Sequence, residues 1–293
     1  MSHKAGFVNI IGSPNVGKST LMNLLVGERL SIITNKAQTT RHRIMGIVNT
    51  DDYQIVYSDT PGLVNSAYAL HDSMMKFVST ALQDADILLL VVECGQQKLN
   101  HEATLQKIAD MDIPLLVAIN KVDKSDEEEV KAQMQAWQDL LPNAEIFPIS
   151  ALHQFNVEAL FDRLVELLPP SPPFFDKEEM TDKPLRFFMS EIIREKIFMH
   201  YKKEIPYASE VEIESFKDEG KLVRIRACIM VERPTQKGIL IGHQGKALKR
   251  VGTEARKDME TFLDKKVFLE TYVKVDKDWR SKASRLKYYG YNN

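Results

Sequence analysis

At 293 residues the chain is long enough for about two domains, each with its own core, and 44% hydrophobic with 27% charged residues is ordinary for a globular protein. Two distant cysteines, Cys94 and Cys228, with no His or Cys cluster beside them, argue against a disulfide framework or a zinc site and for a reducing compartment. No apolar run approaches the roughly 18 residues of a membrane span, no signal or transit peptide is visible, and the net charge of −2 hides a division: 13 Lys and Arg against 21 Asp and Glu in residues 1–175, then 26 against 20 in 176–293.

The first expected strand is the apolar run Gly6–Ile11. It leads into Gly12-Ser13-Pro14-Asn15-Val16-Gly17-Lys18-Ser19 and an expected helix over Lys18–Val26. Strand, glycine-rich loop and helix together make a phosphate cradle. The glycines let backbone N–H groups curl around an oxyanion, and the helix N-terminus aims partial positive charge at the same point. Nucleotide contacts are expected from Gly12, Ser13, Asn15, Val16, Gly17, Lys18, Ser19 and Thr20, with Lys18 reaching the β and γ phosphates and Ser19 ligating magnesium.

Residues 28–42 read as irregular. Within them Thr40, in preference to Thr39, is expected to complete magnesium coordination when a γ-phosphate is present and to release it after hydrolysis. Strands Arg43–Val48 and Gln54–Tyr57 follow, separated by the turn Thr50-Asp51-Asp52. Asp59-Thr60-Pro61-Gly62 ends the third strand, which puts Asp59 in the magnesium shell and the Gly62 N–H on the γ-phosphate. Ser19, Thr40 and Asp59 are thus the expected metal residues, and Lys18, Thr40 and Gly62 the expected catalytic ones.

The pattern continues with a helix to about Gln83, a buried strand Ile87–Val92, a helix near 100–110, strand Leu115–Ile119, a helix near 126–140, strand Glu145–Ile149 and helix 156–168. This alternation predicts an α/β domain, a mostly parallel sheet with helices on both faces and ligands at the carboxyl ends of its strands. Asn120-Lys121-Val122-Asp123 falls at such an end. Asp123 can accept two hydrogen bonds from the N1 and N2 edge of guanine, Asn120 can bond the opposite polar edge, and the Lys121 stem can lie along the base. Adenine would leave the carboxylate unpaired, so GTP is expected over ATP. Ser150-Ala151 closes the set, with the Ala151 N–H within reach of guanine O6.

In order and spacing, these motifs resemble the small GTPase class of P-loop proteins, within the bacterial branch typified by the Era family. Against Ras-type members of that class, Leu63 stands where a water-orienting glutamine is usual. Slow intrinsic hydrolysis is therefore expected, with water placed by backbone, by the magnesium shell or by a partner. Arg41 is a candidate for charge stabilisation, the alternative being an exposed, solvated arginine.

Leu168-Pro169-Pro170-Ser171-Pro172-Pro173 stops the last helix and starts a stiff, extended connector. The expected domains are 1–170, a linker 171–183, and 184–293. A helix after Pro184 carries Phe187, Phe188, Ile192, Ile193, Ile197 and Phe198 toward a core, followed by strands Ser209–Phe216 and Leu222–Val231 around a turn at Asp218-Glu219-Gly220. Then comes Gly242-His243-Gln244-Gly245 between two helical segments, with six Lys and Arg against one acid over residues 237–257. A G-x-x-G loop admits a phosphate backbone closely while neighbouring apolar residues form a floor for bases, and the basic charge neutralises phosphates. RNA contacts are expected from Lys237, Ile239, Ile241, Gly242, His243, Gln244, Gly245, Lys246, Lys249 and Arg250. With a final strand at Val267–Val275, this smaller α+β region resembles a type II KH domain. The tail from Trp279 to Tyr289 is read as stacking on RNA or as packing on its own domain.

A GTPase domain followed by a type II KH domain is the layout of the Era family. That resemblance implies GTP, GDP and magnesium as ligands, the 3′ end of small-subunit ribosomal RNA as partner, and a role in small ribosomal subunit assembly. It also implies a cytoplasmic monomer that does not bind DNA, and permits peripheral contact with the inner membrane. The rival reading, resting on Leu63, is an RNA-binding scaffold with GTP as a structural ligand.

Overall fold

A computed structural model of the chain describes residues 3–96, 99 and 101–291. Its backbone divides into two compact units, one of residues 1–67 and 71–182, the other of 68–70 and 183–293.

The first unit is a six-stranded sheet in the order β2-β3-β1-β4-β5-β6, formed by β1 (Lys4–Ile11), β2 (Ile44–Asn49), β3 (Tyr53–Asp59), β4 (Ile87–Glu93), β5 (Leu115–Asn120) and β6 (Glu145–Pro148). All neighbours pair in parallel except β2, which runs antiparallel to β3. The helices are α1 (Lys18–Val26), α2 (Ala69–Gln83), α3 (Glu102–Ala109), α4 (Glu127–Leu140) and α5 (Val157–Leu167). Residues Ile87 to Val92 and Leu116 to Ile119 have no exposed surface. That is why the two central strands read as unbroken apolar runs: each is covered on both faces. Strand β3 extends past the expected Tyr57 to Asp59, because its ladder with β1 continues to the pair Ile10 and Asp59.

The expected connector is extended, yet residues 171–182 belong with the first unit. The Gln54 side-chain carbonyl accepts the N–H groups of Phe174 (2.7 Å) and Phe175 (3.0 Å). The Phe174 ring lies 5.0 Å from that of Phe7. Farther on, the Ile47 N–H donates to the Met180 carbonyl (2.9 Å) and Thr181 bridges to Gly46. The segment therefore pairs with the outer edge of β2, which would otherwise present unpaired backbone groups. Proline stiffness was legible in the sequence; this docking depends on an edge created elsewhere.

The second unit is a three-stranded sheet, β7 (Glu210–Asp218), β8 (Leu222–Val231) and β9 (Lys266–Val275), with β7 antiparallel and β9 parallel to β8. Helix α6 (Leu185–His200) packs against β7 and α9, and α9 (Lys246–Leu263) packs against β9. The expected core stripe of α6 is largely realised: Phe188, Ile192, Ile193, Ile197 and Phe198 are buried, while Phe187 is half-buried. Two short helices, α7 (Ile205–Ala208) and α10 (Ala283–Tyr288), are additions too short to announce themselves by periodicity. Helix α8 (Pro234–Ile241) precedes the glycine loop.

The tail packs on its own unit. Trp279 is fully buried, its indole N–H donates to the Ala208 carbonyl (2.9 Å), and the rings of Tyr289 and Tyr291 flank it at 5.5 and 6.3 Å. Only Tyr288 of this group is mainly exposed. Trp279→Ala should lower the stability of the second unit by about 3 kcal/mol through the cavity left and the carbonyl stranded, read as an earlier transition in urea unfolding followed by circular dichroism.

Candidate nucleotide pocket and candidate RNA loop

A pocket of about 430 Å³ opens at the carboxyl ends of the parallel strands, where the loops after β1, β3, β5 and β6 converge. Its floor is the glycine-rich loop, and two of the glycines there admit no side chain. A Cβ on Gly12 would lie 2.1 Å from the Val91 carbonyl oxygen, and one on Gly17, whose φ is +101°, 2.3 Å from Asn120 Nδ2. Gly62 is equally tight, since a Cβ there would meet the Pro14 backbone at 2.8 Å. Lys18 is buried at the first turn of α1, its ammonium donating to the carbonyls of Gly12 (2.9 Å) and Ser13 (2.8 Å). Burial lowers its pKa to about 8, with the Asp59 charge pulling the other way.

Ser19, Thr40 and Asp59 meet at one point. Ser19 donates to Asp59 Oδ2 at 2.6 Å, Thr40 to the same oxygen at 3.3 Å, and the two hydroxyls lie 2.9 Å apart. Thr39 turns away, donating to the Lys36 carbonyl (2.7 Å) and contacting the Thr34 hydroxyl (2.6 Å). Asp59 is fully buried, and its Oδ1 has no hydrogen-bond partner. Burial pushes its carboxyl above the usual range, while the Ser19 hydroxyl, the Lys18 charge and the hydroxyls of Ser31 and Thr40 pull it down. A buried carboxylate oxygen left open beside two hydroxyls fits a hard divalent cation such as magnesium, which takes oxygen ligands.

At the other end, Asn120 bridges two loops: Nδ2 donates to the Val16 carbonyl (2.8 Å), and Oδ1 accepts the Ala151 N–H (2.9 Å). The Lys121 ammonium donates to the Asn15 carbonyl (2.7 Å) and pairs with Glu93 (2.9 Å). Asp123 accepts from the Ser150 hydroxyl at 2.5 Å, which holds its carboxyl below the ordinary range. Of the residues expected at the nucleotide, Asn15, Gly17, Lys18, Ser19, Thr20, Thr40, Gly62, Asn120, Lys121, Asp123 and Ala151 line the pocket. Gly12, Ser13, Val16, Asp59 and Ser150 stand behind them as hydrogen-bond partners.

The structure adds lining residues that no motif marked, among them Ile32, Thr34, Lys36 and Gln38 from the irregular segment. That segment is joined to the glycine-rich loop by Asn15, whose Nδ2 donates to the Asn35 carbonyl (3.2 Å). Leu63 is buried in the apolar cluster with Leu90, Val92 and Ile119. Arg41 is fully buried, which overturns the solvated alternative.

In the second unit, α8 and α9 are joined by the turn His243 to Gly245. Gly242 (φ +71°), Gln244 (+52°) and Gly245 (+74°) all lie in the left-handed region, and a Cβ on Gly242 would meet that of Ala247 at 2.6 Å. His243, Gln244, Lys246, Lys249, Arg250 and Ile239 are exposed, Lys237, Ile241 and Gly245 half-buried. Arg250 is partnered by Glu254 (3.1 Å), so the free positive charge at the loop comes mainly from the lysines.

Two family models match the chain, a 50S ribosome-binding GTPase over residues 7–121 and a KH domain over 204–280. The chain is 45% identical to GTPase Era of Syntrophus aciditrophicus over 99% of its length and 95% of that protein, and 43% identical to GTPase Era of Nitrosomonas eutropha over 99% and 98%. The structure is similar to that of Era in complex with MgGDPNP and nucleotides 1506–1542 of 16S ribosomal RNA, with TM-score 0.94 and 36% identity over 99% of both chains. It is likewise similar to an Aquifex aeolicus Era variant bound to GDP and aluminium fluoride, with TM-score 0.94, 36% identity, and coverage of 98% and 99%. With the phosphate pocket and the left-handed glycine loop on one polypeptide, and this likeness running through both units, the chain belongs to the Era family of GTPases.

Proposed function

We propose that the protein is a GTP-hydrolysing switch that engages the 3′ end of small-subunit ribosomal RNA through the loop at Gly242 to Gly245 and acts in small ribosomal subunit assembly. The observation that carries this reading is the pairing, in one chain, of a pocket built for phosphate, hard cation and guanine with a basic G-x-x-G loop. The RNA-bound Era structure supplies the identity of the RNA.

In the pocket, the loop amides and Lys18 take the β and γ phosphates, where Lys18 regains the anionic neighbour that its burial calls for. Ser19, Thr40 and Asp59 would hold magnesium, which when bound supplies Lewis-acid neutralisation of charge on the phosphates. The Gly62 N–H faces the γ-phosphate. Asp123 reads guanine, and Asn120 sets the spacing of the loops around the base by holding the Val16 carbonyl and the Ala151 N–H. Leu63, sealed in the core, neither accepts a proton from water nor orients it, so unaided turnover is slow and RNA or ribosomal contacts are left to accelerate it. At the second site, the left-handed glycines bring backbone within reach of phosphates, Ile239 and Ile241 floor the bases, and Lys246 and Lys249 neutralise charge. The protein works as a cytoplasmic monomer. Among the described residues no helix is long and apolar enough to cross a membrane, so contact with the inner membrane would be peripheral.

Single-turnover GTP hydrolysis with magnesium, with and without an oligonucleotide copying the RNA 3′ end, tests the coupling. Stimulation is expected, and Gly242→Asp should abolish it while leaving basal hydrolysis intact; RNA binding without stimulation would favour a scaffold. Thr40→Ala should weaken magnesium-dependent retention of a GTP analogue about 10- to 100-fold, and Thr39→Ala far less, in fluorescent-nucleotide titrations. Because Ser150 keeps Asp123 charged to lower pH than usual, the guanine contact is present above that depressed pKa and lost only as pH falls through it. Ser150→Ala should therefore move the acid-side loss of GDP affinity to higher pH, toward the ordinary aspartate range, measured between about pH 3 and 5.

A further inference from the structure

The loop that follows β4 carries none of the phosphate motifs, yet one of its side chains reaches the glycine-rich loop. Gly95, at φ +93° and with open space where a Cβ would stand, turns the backbone, and the Gln96 N–H closes the turn on the Glu93 carbonyl (2.9 Å). Helix α4 holds both turn residues. Its buried Gln133 accepts the Gly95 N–H on Oε1 (2.7 Å) and donates through Nε2 to the Gln96 carbonyl. The fully buried Trp137 adds its indole N–H to the same carbonyl (3.1 Å). A buried amide satisfied at both ends by one two-residue turn fixes the backbone from which Gln96 projects. The Gln96 side chain then donates from Nε2 to the Ser13 hydroxyl at 2.9 Å.

Ser13 sits beside Pro14, which has no N–H with which to anchor this arm of the loop. The arm is held instead through its carbonyls and by packing. The Gly12 carbonyl accepts the Leu63 N–H (3.2 Å) and the Lys18 ammonium (2.9 Å), and the Ser13 carbonyl accepts Lys18 as well (2.8 Å). Gly62 packs on the Pro14 backbone so closely that a Cβ there would meet it at 2.8 Å. Lys18, Gly62 and Leu63 all belong to the phosphate motifs or adjoin them. Gln96 ties the same arm from outside them, to a turn that α4 holds in place.

We propose that Gln96 is a positioning residue of the phosphate loop: through Ser13 it keeps the Gly12–Pro14 arm anchored to α4 when Lys18 turns from the Gly12 and Ser13 carbonyls to nucleotide phosphate. The inference rests on the reading of the glycine-rich loop as the phosphate site. A loop already held loses less conformational freedom on binding. The gain is the same for GDP and GTP, because the bond is made to the loop and not to the γ-phosphate. Its effect belongs in nucleotide affinity, not in the chemical step.

The test is Gln96→Ala in the full-length protein, read by release of fluorescent GDP and by steady-state GTP hydrolysis with magnesium. Where chemistry is slow against release, KM reports affinity. Loss of one neutral hydrogen bond is expected to speed GDP release and to raise KM for GTP, each by about tenfold, with kcat little changed. Gln96→Met, which keeps the bulk of the side chain without its amide, should behave the same; a parent-like Gln96→Met would assign the effect to packing and overturn the inference. Ser13→Ala should reproduce the loss, and the double variant should be no worse than either single one, since both remove the same bond. Additive losses overturn the inference, as do unchanged release and KM in Gln96→Ala or a fall in kcat alone. Lys18→Ala in parallel separates the two levels: weakened GDP binding there beside a parent-like Gln96→Ala sinks the role of Gln96 alone, whereas parent-like GDP binding in Lys18→Ala removes the phosphate-site reading and the inference with it.

Discussion

The side-chain amide of Asn120 ties three strand ends to one point. Its nitrogen holds the Val16 carbonyl of the phosphate loop and its oxygen holds the Ala151 N–H of the loop after β6, both within 2.9 Å, while Asn120 itself ends β5. The tie leaves no room for a side chain at Gly17, whose left-handed backbone in turn starts α1. The glycine-rich loop, Lys18 and the loops after β5 and β6 therefore stand in fixed relation to one another. Such preorganisation lets binding energy go into discrimination and charge stabilisation instead of ordering loops.

Charge in the pocket is arranged around burial. Lys18 and Asp59 are both removed from water, each shifted toward its neutral form, and each drawn back by the other and by nearby hydroxyls. A site so poised gains from a ligand that brings phosphate to one and a cation to the other. Leu63 belongs to the opposite economy. Its side chain completes the apolar cluster under β4 and β5, so the segment after Asp59 contributes backbone to the phosphate end and packing to the core. The proposal of slow unaided hydrolysis therefore rests on the same residue that stabilises the sheet.

The second unit protects its loop by different means. Helix α6 carries a buried pair, Arg194 and Glu191 (2.5 Å), with the buried charges Glu195 and Lys196 beside it among apolar residues. Breaking such a pair from one side is costly because it strands a charge, which favours one register of α6 against the sheet. On that base, the Tyr201 hydroxyl holds the Leu240 carbonyl at the end of α8 (2.6 Å), and the glycine turn follows. The loop is exposed in side chains and constrained in backbone, the combination that phosphate contact requires.

Much of this was legible in order along the chain. The phosphate loop, Asp59, the segment Asn120 to Asp123 and the G-x-x-G turn are short, local chemistries, and the apolar runs of β4 and β5 follow from burial on both faces. The sequence alone therefore determined the two-part architecture, the expectation of guanine over adenine, and the resemblance to a family. What only the tertiary structure decided are choices between near-equivalent residues and the fate of segments without periodicity: Thr40 at Asp59 while Thr39 turns away, Arg41 buried, residues 171–182 paired to the β2 edge, the tail packed through Trp279, and Gln96 brought to Ser13. Each depends on partners distant in sequence or on a loop path with no repeating pattern. Local propensity carries no record of such contacts, because their energy exists only once the sheet has formed.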